Sequence, residues 1–181
     1  MSLRIVIPAA EQFNYDTNEF LETKEQVLQL EHSLVSISKW EAMYHKPFLS
    51  QKPKTTAETI DYIRCMTLTQ NVDPNVYTAI TQDIIDKVTR YINASMTATT
   101  FSNERPGSAP RKVITAEVIY YWMIANNIPF ECQNWHLDRL LTLINVCNVE
   151  NGPQKKMSRQ EIMRQNHALN EARKAKFKTR G

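Results

Sequence analysis

Apolar positions along this chain change their spacing near residue 33. Before it, "LRIVIP" (residues 3 to 8) is a short apolar strand closed by Pro8, and Leu28 and Leu30 alternate with polar neighbours. A spacing of two sends successive side chains to opposite faces of a strand. Asn14, Asp16 and Asn18 supply turn residues between these runs. The pattern predicts three short strands between residues 3 and 32, arranged as a small β meander. Three strands need another layer to pack on.

Beyond residue 33 the spacing is helical. "SLVSISKWEAMYHKPFL" offers serine caps, then Trp40, Met43 and Tyr44, and Pro47 stops the helix. Thr55 and Glu58 have capping-box spacing ahead of "AETIDYIRCMTL". Asp73 and Pro74 form an N-cap and first-turn pair for one helix over "NVYTAITQDIIDKVTRYI". Its Val76, Ile80, Ile84, Val88 and Ile92 draw a single apolar stripe. "TAEVIYYWMIANNI" and "NWHLDRLLTLINVCN" are the most apolar helices, the second with Leu137, Leu140, Leu141, Ile144 and Cys147 on one face and Pro129 in the corner between them. This pair is expected to make the core.

Two segments interrupt the helices. Residues 95 to 112 combine Pro106, Gly107 and Pro110 with serines and threonines, which predicts a long loop. "NGPQ" at 151 to 154 breaks the chain again, and Ser158 with Glu161 caps a last helix whose apolar residues, Ile162, Met163, Leu169 and Ala172, make only a thin stripe. The expected fold is mainly α: a β element over 1–33, a helical core domain over 34–151 and a basic C-terminal helical arm over 152–181.

Charge gives that arm its interest. Residues 155 to 181 hold nine basic residues, Lys155, Lys156, Arg159, Arg164, Arg173, Lys174, Lys176, Lys178 and Arg180, against Glu161 and Glu171, a net of +7. The whole chain carries +3, so residues 1 to 154 carry −4. Such an arm could neutralise phosphates, but only Phe177 is available to stack on a base, so sequence-specific nucleic-acid recognition is not expected. An acidic protein surface, including the body of a neighbouring copy, fits it as well.

Composition narrows the classes. At 181 residues the chain is about one domain, large enough to bury roughly 70% of its unfolded surface. No run approaches the ~20 apolar residues of a membrane span, and "MSLRIVIPAAEQF" lacks a secretory apolar region, so use in a cytoplasm is expected. Cys65, Cys132 and Cys147 are odd in number and widely spaced, which predicts reduced thiols. None of the three glycines sits in a strand-to-helix turn, so no phosphate-cradling loop can be written.

Candidate chemistry is sparse. Cys132 and His136 could be metal ligands or a nucleophile and base, yet no second close pair exists, and His32, His45 and His167 lie in unrelated elements. His136 reads instead as a hydrogen-bonding residue near the start of its helix. Asp83 with Asp86, and Glu58 with Asp61, are helical neighbours of the kind found on solvated faces. No catalytic, cofactor-binding or metal-binding residue is assigned, and no enzyme activity or cofactor is expected. Of the adjacent Tyr120 and Tyr121, mostly core by their spacing, at least one must leave any single helical stripe, which frees part of the cluster to face another protein. The expected partner-binding residues are therefore these two tyrosines and the nine basic residues of the arm.

Four stretches, residues 30 to 50, 61 to 77, 117 to 148 and 153 to 181, together resemble a family of small proteins encoded among the morphogenesis genes of tailed bacteriophages and labelled tail assembly chaperones. The resemblance implies a non-enzymatic, oligomeric assembly protein working by protein contacts in the host cytoplasm. Its partners would be the tape measure protein, tail tube subunits or copies of itself. The alternative it implies is a structural component of the virion, in the head, connector or tail, whose basic arm docks on neighbouring subunits or contacts DNA.

Overall fold

A computed structural model describes residues 2–14, 19–99, 113–152, 163–164, 166–171 and 173. It is mainly α, with strands at the start. β1 (Leu3–Ile7), β2 (Ala10–Asn14), β3 (Glu19–Thr23) and β4 (Gln26–Leu30) form two antiparallel ladders, β1 with β4 and β2 with β3. The predicted three-stranded meander is therefore corrected to a nested hairpin, with the first and last strands paired outside the inner two. Pro8 is the reason for the break. It has no N–H to give a ladder, so β1 ends at Ile7 and pairing resumes at Ala10 against Thr23.

The outer ladder sets the floor of the core. Its register places Ile5 opposite Leu28 and Leu3 opposite Leu30, and Ile5, Ile7, Leu28 and Leu30 are buried while Arg4, Val6 and Gln29 face out. The chain stays extended past β4 and is stitched on both sides. Leu68 N–H donates to Gln29 O, Glu31 N–H donates to Met66 O, and Leu137 N–H donates to His32 O.

Helices close over this floor. α1 (Leu34–Tyr44) is capped by Ser33, whose hydroxyl accepts the Ser36 N–H, and ends at His45 in the left-handed region. α2 (Thr56–Met66) starts with the predicted Thr55 and Glu58 capping box. Asp73 and Pro74 also act as expected, but they open a 3-10 helix, Pro74–Ala79, and α3 (Gln82–Ile92) is a separate element after extended Ile80 and Thr81. The single helix predicted there is thus split. Val76, Thr78, Ile80 and Thr81 are β-branched and hold a helix weakly, and the tighter turn buries Val76, Tyr77 and Ala79.

α4 (Ala116–Ala125), the 3-10 helix Phe130–Asn134 and α5 (Leu137–Glu150) follow. They bury Ile119, Met123, Leu140 and Ile144, but the largest fully buried side chains, Trp40 and Tyr62, come from α1 and α2. The core therefore centres on the outer ladder and the first two helices as much as on the apolar pair expected to build it. Met1–Asn148 form one compact unit and Val149–Gly181 another. In the second unit the described residues 163, 164, 166 to 171 and 173 are helical and exposed. Among the described residues no helix is long and apolar enough to cross a membrane.

Candidate functional site

Glu31, His32 and Ser33 are buried although none is apolar. They continue the β4 backbone into the core, and burial of a polar side chain is tolerated only when it is hydrogen-bonded. Tyr91 on α3 donates to Glu31 Oε1 at 2.6 Å. Tyr62 on α2 meets His32 Nδ1 at 2.5 Å and Ser36 Oγ on α1 at 3.2 Å. Since the Ser36 hydroxyl proton goes to Ser33 O at 2.7 Å, one arrangement makes every contact a hydrogen bond: Tyr62 donates to Ser36, and His32 Nδ1 donates to Tyr62. His32 Nε2 is then a bare lone pair.

His136, just before α5, stands against His32 with ring centroids 5.1 Å apart, edge to face. Its Nε2 lies 3.2 Å from Tyr91 O and so carries the proton, while Nδ1 accepts the Asp138 N–H at 3.3 Å. Burial, then His136 and then Lys54 hold His32 far below the ordinary histidine value, at about 3. Burial likewise pushes the Tyr62 and Tyr91 hydroxyls well above the usual tyrosine range, Tyr91 also through its bond to Glu31.

His32 and Tyr62 of this polar centre line an open cavity of about 550 Å³, whose other walls mix Phe48, Leu49, Ile92 and Leu141 with Ser50, Thr59, Thr89, Asn93 and Asp138. Lys54 enters the same wall. Its Nζ donates to Phe48 O at 2.8 Å and stands 4.0 Å from the Phe48 ring centroid and 5.6 Å from that of Trp40. Lys46 pairs with Glu58 and Arg64 with Asp61; Lys54 is in neither pair, although Glu58 lies near enough to favour its charged form. Burial lowers its pKa. A second cavity of about 530 Å³ lies on its other side, against Trp40, Pro47, Pro53 and Val113.

The structure brings His32 and His136 together, correcting the expectation that they lie in unrelated elements. A signal existed in the sequence. Leu28, Leu30 and His32 share one parity, so extending the strand alternation by two residues would have placed His32 inside. His136 hydrogen-bonds near its helix start as read from sequence. Cys132 is buried with its thiol pKa raised by that burial, and all three cysteines are free. Glu58 is occupied by Lys46 and the Thr55 N–H, and Asp61 by Tyr44 and Arg64.

The expected partner-binding residues fall into three groups. Tyr121 is 65% exposed and does leave the apolar stripe, whereas Tyr120 is half-buried, donates to Gln133 Oε1 at 2.9 Å and packs on Phe130. Arg164 and Arg173 are helical and exposed. Lys155, Lys156, Arg159, Lys174, Lys176, Lys178 and Arg180 lie outside the described residues, as do residues 100 to 112 of the predicted loop and the Ser158 and Glu161 cap. No protein-family model, no curated protein and no solved structure matches the chain.

Proposed function

We propose that this protein is a non-enzymatic bacteriophage assembly factor that works by protein contacts, as a tail assembly chaperone in the host cytoplasm. The resemblance over residues 30 to 50, 61 to 77, 117 to 148 and 153 to 181 supports it. The structural observation that carries it is the outer face of α4. Tyr121 is 65% and Ile124 59% exposed, with Phe130 also exposed beside Tyr120. Ile124 lies one helical turn from both tyrosines, so these residues form a continuous apolar surface of the kind that marks a protein contact. The net charges of −4 for residues 1 to 154 and +7 for residues 155 to 181 suit attraction between the arm and the acidic body of a neighbouring copy, or an acidic patch on a tape measure or tail tube protein.

Two experiments test this. Deleting residues 155–181 is expected to abolish self-association or partner binding, and excess DNA is expected not to compete. Quantitative mass spectrometry of purified particles is expected to find the protein absent. High copy number there would replace the chaperone reading with the second one, a structural component of the head, connector or tail. The charge density of the arm favours that second reading where it meets DNA, and steeply salt-dependent DNA affinity lost on deletion would support it.

A further inference from the structure

Asn151 follows the last residue of α5 and stands exposed in a bend, with Gly152 next. Of the three glycines, 107, 152 and 181, only this one follows an asparagine. The φ of Gly152 is not positive, so the backbone here does not require glycine. What glycine contributes is the absence of a side chain beside the Asn151 carboxamide. Its N–H makes no backbone hydrogen bond among the described residues.

This combination leaves the carboxamide open to attack by its own main chain. The Gly152 nitrogen and Asn151 Cγ belong to one short stretch of chain, and such proximity replaces a bimolecular encounter. Other described asparagines are held away from the reaction. Asn145 and Asn148 lie within α5 and precede Val146 and Val149, whose branched side chains crowd the same approach. Asn126 is held through Nδ2, which donates to Trp122 O and Asn148 Oδ1. Asn127 precedes Ile128, and Asn134 precedes Trp135.

We infer that Asn151 is a self-modifying site, deamidated by the adjacent main chain with water as co-reactant. The Gly152 nitrogen gives up its proton and attacks Cγ. The N–Cγ bond forms, the Cγ–Nδ2 bond breaks, and Nδ2 leaves as ammonia with that proton. Water then opens the cyclic imide at either carbonyl. Opening at Cγ yields aspartate; opening at the main-chain carbonyl yields isoaspartate, in which the chain runs through Cβ and Cγ. No electrons are exchanged, and the formal charge of the chain falls from +3 to +2. The new carboxylate enters the connection between the compact unit that ends at Asn148 and the basic residues from Lys155 onward. The inference rests on this local chemistry and does not depend on the assembly role.

The test is peptide mapping of the full chain aged at pH 8 and at pH 5. Trypsin releases residues 140–155, which carry Asn145, Asn148 and Asn151 together, so the first two are internal controls. A gain of about 1 Da is expected at Asn151 at least about tenfold faster than at either control, and faster at pH 8, because the attacking nitrogen must lose a proton. Isoaspartate, which only the imide route gives, is expected beside aspartate. Gly152→Ala should slow the reaction by about tenfold, a barrier higher by about 1.4 kcal/mol. Equal rates at the three asparagines, aspartate without isoaspartate, or an unslowed Gly152→Ala would overturn the proposal. So would a folded chain that reacts at Asn151 at least about tenfold more slowly than the chain unfolded in guanidinium. If the variant fails to fold, the comparison within the one peptide decides alone.

Discussion

Glu41→Gln exchanges one carboxylate oxygen for an amide nitrogen at a position where both oxygens are in use. Glu41 lies on α1 and is only 8% exposed. Oε1 accepts the Phe48 N–H and Oε2 the Ala116 N–H, each at 2.7 Å, the second across 75 residues of sequence. One side chain thus ties α1 to the turn after Pro47 and to the first residue of α4. Thr115, the N-cap of α4, makes no side-chain cap bond, so Glu41 supplies that acceptor. Hydrogen bonds to a charged group contribute about 1.5–3 kcal/mol each, and a negative charge at a helix N-terminus about 0.3–1 kcal/mol more. Glutamine keeps the shape and one acceptor but turns an N–H₂ toward a backbone N–H. The expected loss is about 2–4 kcal/mol, a large part of a total stability of about 5–15 kcal/mol. Urea unfolding followed by tryptophan fluorescence should show the midpoint fall by about 1–2 M at an unchanged slope, taking a slope of about 2 kcal/mol/M. Exposed Glu25, between β3 and β4, is the control, with Glu25→Gln expected to change stability by less than about 0.5 kcal/mol. A Glu41→Gln midpoint indistinguishable from that control would refute the clasp.

Three further outcomes follow from the buried centre and the exposed face. His32 stays neutral when folded down to about pH 3 but takes a proton near 6.5 when unfolded, so its contribution is whole above pH 6.5 and is lost as pH falls toward 3. Stability should drop by about 1–2 kcal/mol between pH 7 and 5, and the His32 ring proton should not titrate in that interval; a normal titration would remove the effect. The hydrogen bond to Asp61 raises the Tyr44 pKa to about 12, and burial raises those of Tyr62 and Tyr91, so ultraviolet titration to pH 11 should leave these three protonated. Full ionisation of all seven tyrosines by that pH with the fold intact would contradict the geometry. Tyr121→Glu should leave the thermal midpoint within a few degrees, because the ring is exposed, while weakening self-association or partner capture in sedimentation by about tenfold or more. Unchanged association would remove the outer face of α4 from the contact.

Much of the local structure was legible in particular residues. The Thr55 and Glu58 box, the Asp73 and Pro74 start, the alternation of Leu28 and Leu30 and the outward turn of one of the two adjacent tyrosines all depend on neighbours a few positions away. Strand pairing was not legible. Alternation shows which face a residue takes but not which strand lies beside it, and the nested order β1 with β4 required the closure of the whole hairpin. The helix expected from Asp73 to Ile92 failed for a related reason. Its apolar stripe was real, with Val76, Ile84 and Val88 buried, but β-branched residues near 80 let tertiary packing choose a tighter turn.

Residue types and their spacing were enough for the class of protein: a mainly helical chain with short N-terminal strands, explicit helix starts, widely spaced cysteines and a basic last segment after an acidic body. Those properties follow from residue chemistry and from contacts within one or two turns. Tertiary structure alone decided where polar chemistry gathers. His32 meets Tyr62 across 30 residues, and Glu41 meets Ala116 across 75. No local rule reaches that far, because a polar side chain enters the core only once distant elements have supplied its partners.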